Sequence, residues 1–179
     1  MVPHIGVVNL IHDAESTHRC PRNCRIINAH NYVFDGMYFA LFKSLGVCGN
    51  IVIFVSNACL FSSSGLSDLR IDVLDSVPSL LSAVKFPPST RIIKAIGEPM
   101  TESVVRSIPI GCTLFNCYGP TECSIEMTIK SYTTPEMFTV RPSSIGRPTT
   151  NVTCFVVQPD SIELILQPIG VFGELLIGG

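Results

Sequence analysis

The stretch NCYGPTE at residues 116–122 is the part of this sequence that decides its fold. It follows the apolar segment GCTLF at residues 111–115, and its Gly-Pro pair favours a tight turn. The pattern predicts a β-strand whose carboxyl end turns sharply and presents the ring of Tyr118, the hydroxyl of Thr121 and the carboxylate of Glu122. A flat ring can stack on a purine, a hydroxyl can donate to a phosphate oxygen, and a carboxylate can bind Mg²⁺. An ordinary strand and turn is the alternative interpretation.

Predicted strands and helices alternate along the first 141 residues. Strands are predicted at residues 25–29, 50–55, 91–96 and 114–117, and helices at residues 4–13, 37–45, 77–84 and 101–107. This alternation favours an α/β fold, in which a parallel sheet is covered by helices on both faces.

The pattern changes after residue 142. Three strand-like runs follow at residues 152–158, 163–167 and 173–177, with turn residues and no helix between them. We therefore predict an α/β subdomain at residues 1–141 and a β-rich subdomain at residues 142–179.

Composition limits the class of protein. Only 15% of the residues are charged, 46% are hydrophobic, and the mean hydropathy is +0.42, so apolar surface is expected to be covered by a larger assembly, a membrane or missing protein segments. The net charge of −2 and the lack of a basic run argue against a nucleic-acid partner. The N-terminus has no signal-peptide pattern, which predicts a cytoplasmic protein with reduced cysteines.

The apolar segment at residues 41–61 is the one candidate for a membrane span. It carries several polar residues, including Lys43 and Asn50, whereas a span needs about 20 predominantly apolar residues. A buried helix ending at Gly46 followed by a strand accounts for the segment better, so we predict no membrane partner.

A group of four potential metal ligands precedes the second predicted strand: His18, Cys20, Cys24 and His30. Their spacing differs from that of a zinc finger, and no second cysteine pair follows. A surface loop is therefore the favoured interpretation, with zinc binding as the alternative.

Several motifs together resemble the adenylate-forming (AMP-binding) superfamily. Residues 116–122 match its N-x-Y-G-P-T-E motif in the form found in adenylation domains of nonribosomal peptide synthetases, of the fungal type. Further matches are IGRP at residues 145–148 with Asn151, GVFGELLIGG at residues 170–179, and Phe34-Asp35. The resemblance extends over essentially all 179 residues. It implies part of the family's N-terminal lobe, with residues 142–179 as the start of a small, incomplete β-barrel-like subdomain.

The resemblance also implies a nucleotide site for ATP or AMP with Mg²⁺. Thr121 and Glu122 would be the catalytic residues, with Thr121 on the α-phosphate and Glu122 on the metal. The ring of Tyr118 would stack on adenine and Asn116 would bind the adenine amino edge. The residues implied to bind the nucleotide are Gly97, Glu98, Pro99, Asn116, Tyr118, Gly119 and Thr121.

An amino-acid pocket is implied by the same alignment. Asp35 would pair with the α-ammonium group of the substrate, which favours amino acids over other carboxylic acids. The remaining implied pocket residues are Gly36, Phe39, Lys94, Ile96, Cys117, Ile125 and Glu126. Lys94 and Glu126 are unusual in an apolar pocket and indicate either a polar substrate or a site that has lost its function.

The implied reaction joins a carboxylate to ATP as an acyl-adenylate, which a carrier-protein domain then receives. An acyl- or aryl-CoA ligase fragment and a non-catalytic remnant that binds nucleotide or another protein are the alternatives. The family's phosphate loop would precede Met1 and its catalytic lysine would follow Gly179, so we expect the isolated chain to be inactive. Residues 70–76 are also too few for the helix and strand that the family places there.

Overall fold

The computed structural model describes residues 2–46, 51–54, 60–61, 66, 69–133, 142–160 and 163–179. The helices are α1 (His4–Thr17), α2 (Gly36–Gly46), α3 (Pro78–Leu81) and α4 (Glu102–Ser107), with a 3₁₀ turn at Thr121–Cys123. The strands are β1 (Arg25–Asn28), β2 (Ile51–Phe54), β3 (Val73–Ser76), β4 (Ile92–Ala95), β5 (Thr113–Tyr118), β6 (Thr128–Tyr132), β7 (Arg147–Pro148), β8 (Thr153–Val157) and β9 (Glu174–Gly178).

Within the described ranges, seven strands form one sheet in the order β2-β1-β3-β4-β5-β6-β7. The first five of these strands run parallel to one another, whereas β6 and β7 are antiparallel to their neighbours. The predicted α/β fold is therefore confirmed, with an antiparallel edge that the sequence did not predict.

The two faces of this sheet bury separate cores, because successive side chains of a strand point to opposite faces. On one face, Ile27, Leu74 and Ile93 pack with Val104 and Val105 of α4. On the other face, α1 and α2 supply the covering side chains, which include Leu10, Ala14, Phe39 and Ala40. Helices thus lie on both faces of the sheet.

The segment that seemed too short for two elements contains a complete strand. β3 pairs with β1 on one side and with β4 on the other, so the sheet is continuous through it. Residues 62–65 and 67–68, upstream of this segment, lie outside the described residues.

The C-terminal part differs from the prediction in two respects. β7 follows residue 142 in the chain but pairs with β6 of the large sheet. The strand predicted at residues 163–167 is wrong, because this segment contributes a single bridge between Leu166 and Val157. β8 and β9 form a two-stranded antiparallel sheet, and the described residues of this part form no closed barrel. The division at residue 142 stays a prediction.

None of the helices in the described ranges has the length and apolar character needed to cross a membrane. The segment at residues 41–61 contains the second half of α2 and all of β2, in line with the predicted helix and strand, while residues 47–50 and 55–59 lie outside the described residues.

Candidate functional site

The candidate nucleotide site lies where β4 and β5 end. These strands are adjacent and parallel, with Ala95 opposite Asn116, so the loops that follow them emerge at the same edge of the sheet. In open parallel sheets this edge is where ligands bind. The fold therefore brings the loop at residues 97–99 to the same sheet edge as the turn that begins at Tyr118.

The loop at residues 97–99 is held by close contacts. Gly97 has φ +94°, and a Cβ added there would lie 2.9 Å from Cζ of Phe34. A larger residue would therefore be strained both by its backbone conformation and by contact with the Phe34 ring. The backbone N–H and the hydroxyl of Ser79 both donate to the Glu98 carboxylate, at 2.8 and 3.0 Å. Glu98 thus connects the loop to α3, while residues 97–99 remain exposed.

The turn after β5 folds tightly back on itself. The Met127 N–H donates to the Tyr118 carbonyl oxygen at 2.8 Å, and a Cβ on Gly119 would lie 2.3 Å from the Ile125 carbonyl oxygen. Ser124 and Ile125 both have positive φ, at 67° and 75°. This conformation is rare for a β-branched residue and typically costs about 1–3 kcal/mol, which surrounding contacts must offset.

This geometry leaves the predicted phosphate and metal contacts in solvent. The Tyr118 side chain is 39% exposed, and Thr121 and Glu122 are also exposed. Glu122 takes part in none of the ion pairs that the described residues form, so its carboxylate is free to accept a cation. A hydroxyl, a carboxylate and an aromatic face at one turn suit a nucleotide with Mg²⁺.

Asn116 has a different environment from the rest of the predicted nucleotide residues. It is 4% exposed, and its side-chain amide donates to the Ser144 carbonyl oxygen at 2.9 Å. In this structure the amide connects β5 to the segment that leads into β7. Its contact with adenine stays a prediction.

The predicted amino-acid residues converge between the sheet and α2. A Cβ on Gly36 would lie 3.4 Å from Cγ2 of Ile96, which shows how closely the start of α2 approaches the end of β4. Oδ2 of Asp35, at the same helix start, is buried and accepts no hydrogen bond within the described part of the chain. A buried carboxylate oxygen without a donor favours a cationic ligand.

The other seven predicted residues form what we call the substrate-side cluster. Four of them pack in one apolar core, and Lys94 and Glu126 join that core through contacts with Phe39 and with each other. Its members are Gly36, Phe39, Lys94, Ile96, Cys117, Ile125 and Glu126. The structure thus brings together residues that lie as far as 90 positions apart in the sequence.

A buried ion pair lies at the centre of the substrate-side cluster. Nζ of Lys94 is 2.8 Å from Oε2 of Glu126 and 3.8 Å from Oδ2 of Asp75, and these three side chains are at most 2% exposed. Burial alone raises the pKa of Glu126, but the Lys94 charge and the His18 ring outweigh it and hold this pKa well below its ordinary range. For the Lys94 ammonium, burial has the opposite effect and lowers the pKa, but the charges of Asp75 and Glu126 raise this pKa above its ordinary range.

Two histidines extend this pair into a network that sequence reasoning missed. Nε2 of His18 lies 3.0 Å from Oε1 of Glu126, and Nε2 of His30 lies 2.9 Å from Oδ1 of Asp75. The surface loop predicted for these histidines is wrong, because both are buried along with Cys24, and Asp75 was not singled out at all. No local signal marks the network, since its members come from five separate segments.

The side chains that the structure brings together as potential metal ligands differ from the four predicted ones. Among the described residues, the side chains close enough to share a metal ion are His18, Cys117 and Glu126, whose ligand atoms lie within 4.8 Å of one another. The Lys94 ammonium already supplies a cation to Glu126. Burial raises the pKa of the Cys117 thiol well above its ordinary value, which keeps it protonated. We therefore interpret His18, Cys117 and Glu126 as part of the ion-pair network and not as a metal site.

An open groove of about 630 Å³ lies beside the turn that follows β5. The first half of α1, the turn at residues 122–124 and the end of β9 line it. α1 approaches the turn closely, since a Cβ on Gly6 would lie 2.2 Å from Oγ of Ser124.

The family described as AMP-binding enzyme matches the chain over residues 1–179. The chain belongs to this family. Nonribosomal peptide synthetase 7 of Aspergillus fumigatus is 28% identical to this chain, and the alignment covers 100% of this chain. Subunit 1 of the D-lysergyl-peptide-synthetase of Epichloe festucae var. lolii is 32% identical over 87% of it. The chain spans only 8% and 4% of these two relatives, respectively.

Two solved structures share the fold of this chain. A four-domain nonribosomal peptide synthetase bound to AMP and glycine superposes with a TM-score of 0.83 at 21% identity, over 99% of this chain and 14% of that protein. The o-succinylbenzoate coenzyme A synthetase of Bacillus subtilis, in complex with ATP and magnesium, gives a TM-score of 0.78 at 18% identity. The superposition covers 97% of this chain and 36% of that protein. The fold is therefore that of the N-terminal lobe of adenylate-forming enzymes.

Proposed function

We propose that this chain is part of an adenylation domain that, in its complete form, activates an amino acid with ATP for nonribosomal peptide synthesis. The observation that carries the proposal is that the exposed Tyr118 and the loop at residues 97–99 both lie at the carboxyl ends of two adjacent parallel strands. The nucleotides bound in the two related structures support a nucleotide in this position.

The roles of the residues follow from their chemistry. The carboxylate of the substrate attacks the α-phosphorus of ATP, the bond to the pyrophosphate oxygen breaks, and an acyl-adenylate and pyrophosphate form. Thr121 donates to the α-phosphate, and Glu122 holds Mg²⁺, which when bound neutralises phosphate charge. Tyr118 and the backbone at residues 97–99 enclose adenine.

Asp35 distinguishes this proposal from a coenzyme A ligase. Among the described residues, no donor reaches its buried Oδ2; an α-ammonium group would provide one, whereas an acyl or aryl acid would not. Substrate class, the carrier-protein partner and a cytoplasmic location are part of the proposal. A remnant that binds no nucleotide is the outcome that the experiment must separate from it.

Titration of the chain with AMP and with ATP tests the nucleotide site. Because the contacts available are mainly stacking, we expect dissociation constants near the millimolar range, or about 4 kcal/mol of binding free energy. Tyr118→Ala should weaken binding of both nucleotides by at least about tenfold, since the ring supplies most of the contact area. Tyr118→Phe should retain most of the affinity.

Two further variants control this measurement. Tyr38 on α2 is 40% exposed, close to the 39% of Tyr118, so Tyr38→Ala removes a comparable ring and should leave the affinity unchanged. Glu122→Gln should remove only the Mg²⁺ dependence of ATP binding. If Tyr118→Ala retained full nucleotide affinity in a folded protein, the chain would have no adenine site at this turn.

A further inference from the structure

Two cysteines lie side by side at the turn that leads from α1 into β1. The chain turns at Arg22 and Asn23, and Asn23 adopts the left-handed conformation, with φ 61°. The turn brings the side chains of Cys20 and Cys24 together, and they share a hydrogen bond. Both also pack in the small core between β1 and α2. Two thiols in contact can be joined by a disulfide without a large movement of the backbone.

The two sulfur atoms of this pair differ in exposure. Cys24 is 2% exposed, whereas Cys20 is only partly buried. A small reactant that arrives from solvent therefore meets Cys20 first and finds Cys24 behind it. This arrangement matches the division between an attacking thiol and a resolving thiol.

A buried cation lies beside the pair. Lys43, in the last turn of α2, is 2% exposed and takes part in none of the ion pairs that the described residues form. Cys20 and Lys43 line one cavity of about 10 Å³, about the smallest volume that can hold a water molecule. Asp75 lines it too but is already paired with His30 and Lys94. Because a buried ammonium needs an anion, the Cys20 thiolate is the counter-charge that the geometry offers to Lys43.

These neighbours stabilise the thiolate form of Cys20. The hydrogen bond from the Cys24 thiol and the Lys43 charge lower the pKa of Cys20 from 9.0 to about 5, although burial raises it. The His18 ring adds to this effect. The pKa of Cys24 is raised instead, because its hydrogen bond to Cys20, its burial and the Asp72 charge favour the protonated thiol. At neutral pH the pair therefore consists of one thiolate and one thiol.

We propose that Cys20 and Cys24 form a redox-active dithiol that reacts with hydrogen peroxide and closes an intramolecular disulfide. The Cys20 thiolate attacks one peroxide oxygen, the O–O bond breaks, and hydroxide leaves, so that Cys20 becomes a sulfenic acid. The Cys24 sulfur then attacks the Cys20 sulfur. The S–S bond forms, the S–OH bond breaks, and the departing hydroxide takes the Cys24 proton as water. Two electrons pass from the two sulfurs to the peroxide.

Lys43 is a positioning residue in this scheme, because it acts by holding Cys20 as a thiolate. The inference goes beyond the proposed function and does not depend on it, since neither cysteine belongs to the candidate nucleotide or amino-acid site. A dithiol reductant would return the pair to its starting state.

Peptide mapping after oxidation tests for the disulfide. The chain is treated with hydrogen peroxide, its remaining thiols are alkylated, and it is digested with trypsin, which cleaves after the arginines at positions 19, 22 and 25. The two cysteines then fall in separate peptides, CPR and NCR, which stay together only through a disulfide. Mass spectrometry should detect the linked peptides after oxidation and lose them after reduction. Absence of the linked peptides in the oxidised protein would overturn the inference.

Cys24→Ser should stop the reaction at the sulfenic acid. A serine hydroxyl can still donate a hydrogen bond to Cys20 but cannot form a disulfide. A 1,3-diketone probe for sulfenic acids should therefore label Cys20 in this variant at least about tenfold more than in the wild type. The matched control is Cys154, which is also partly buried but whose pKa is raised by burial, and it should stay unlabelled. Equal labelling of both cysteines would contradict the inference.

The pH profile of alkylation separates the charge of Lys43 from a merely structural role. In the wild type, the rate at Cys20 should change little between about pH 6 and pH 8, because both lie above its pKa of about 5. In Lys43→Met the rate at about pH 6 should fall at least about tenfold and recover as the pH rises. Lys85→Met, at an exposed position, should keep the wild-type profile.

A folded Lys43→Met variant with the wild-type profile would overturn the role of Lys43. If that variant fails to fold, the wild-type profile decides. A wild-type rate that kept rising throughout this pH range would show that Cys20 is an ordinary thiol, and the redox-active dithiol would then be wrong.

Discussion

Lys94 illustrates how one position on a strand places a charge inside the protein. It stands between Ile93 and Ala95 on β4, whose side chains enter the core covered by α4. Because side chains alternate, Lys94 points to the opposite face, where Asp75 of the neighbouring strand and Glu126 lie within 4 Å of its ammonium. The charge is tolerated there only because two carboxylates compensate it.

Replacing Lys94 by methionine tests this interdependence. Lys94→Met preserves much of the volume but leaves two buried carboxylates without their cation, and we expect the free energy of unfolding to fall by about 3–5 kcal/mol. The control is the exposed pair of Arg106 and Glu102, whose side chains are 60% and 68% exposed. Arg106→Met should change the free energy of unfolding by less than about 1 kcal/mol. Urea denaturation measures both. Equal effects would show that the buried pair contributes no more than a surface pair.

The penalty of Lys94→Met should depend on pH. The folded pKa of Glu126 lies below its ordinary value of 4.5, so its contribution to stability is present above pH 4.5 and is lost as the pH falls through the folded value. The folded pKa of Lys94 lies above its ordinary 10.5, so its contribution is complete below pH 10.5 and is lost above it. The free energy of unfolding of the wild type should therefore exceed that of Lys94→Met most between pH 4.5 and pH 10.5.

At the scale of elements, the turn between β5 and β6 does the most to shape the site. Two consecutive residues with positive φ reverse the chain and return Met127 to the backbone of Tyr118. The same reversal carries Ile125 and Glu126 into the substrate-side cluster while Thr121 and Glu122 stay in solvent. One turn thus serves both halves of the candidate site.

Gly119→Ala should destabilise this turn. Its Cβ would lie 2.3 Å from the backbone oxygen of Ile125, and backbone cannot rotate away as a side chain can, so we expect a loss of about 1–3 kcal/mol. The control is Gly178→Ala in β9, whose Cβ would meet only the Thr153 hydroxyl at 3.2 Å. Thermal denaturation of the two variants compares them. If Gly119→Ala were as stable as the control, the turn would be less tightly packed than its contacts indicate.

At the scale of the whole molecule, the large sheet and the β8–β9 sheet differ sharply in burial. Ile27, Leu74, Ile93 and Leu114 of the large sheet are fully buried. In contrast, large apolar side chains in the C-terminal part are exposed, with Phe155 at 49% and others higher; these include Leu164, Ile169 and Phe172. An isolated two-stranded sheet is marginally stable in water, so stability should be unevenly distributed.

Hydrogen exchange tests this distribution. Backbone amides of β8 and β9 should exchange at least about tenfold faster than those of β3 and β4, because a two-stranded sheet with few buried side chains opens locally. The central strands should open only with global unfolding. Exchange measured at one pH and temperature compares the two sets within a single sample. Equal protection would show that β8 and β9 unfold only together with the large sheet.

Local signals in the sequence determined much of this fold. The Gly-Pro turn after a strand was predicted from residues 116–122, and the structure has β5 ending at Tyr118 there. A helix was predicted at residues 101–107, and α4 begins there, with the Thr101 hydroxyl accepting the Val104 N–H at 3.4 Å. Such features depend on residues a few positions apart, so composition and spacing suffice to predict them.

Only the tertiary structure decided the antiparallel edge and the buried ion-pair network. β6 had no strand pattern that predicted it, and it forms because the turn returns the chain beside β5, where Ile129 pairs with Cys117. Lys94, Glu126 and His18 lie far apart in the sequence, and a charged residue by itself predicts exposure. Their burial depends on strand register and on the helix packed above, because the charges of Lys94 and Glu126 are stable there only when both are present.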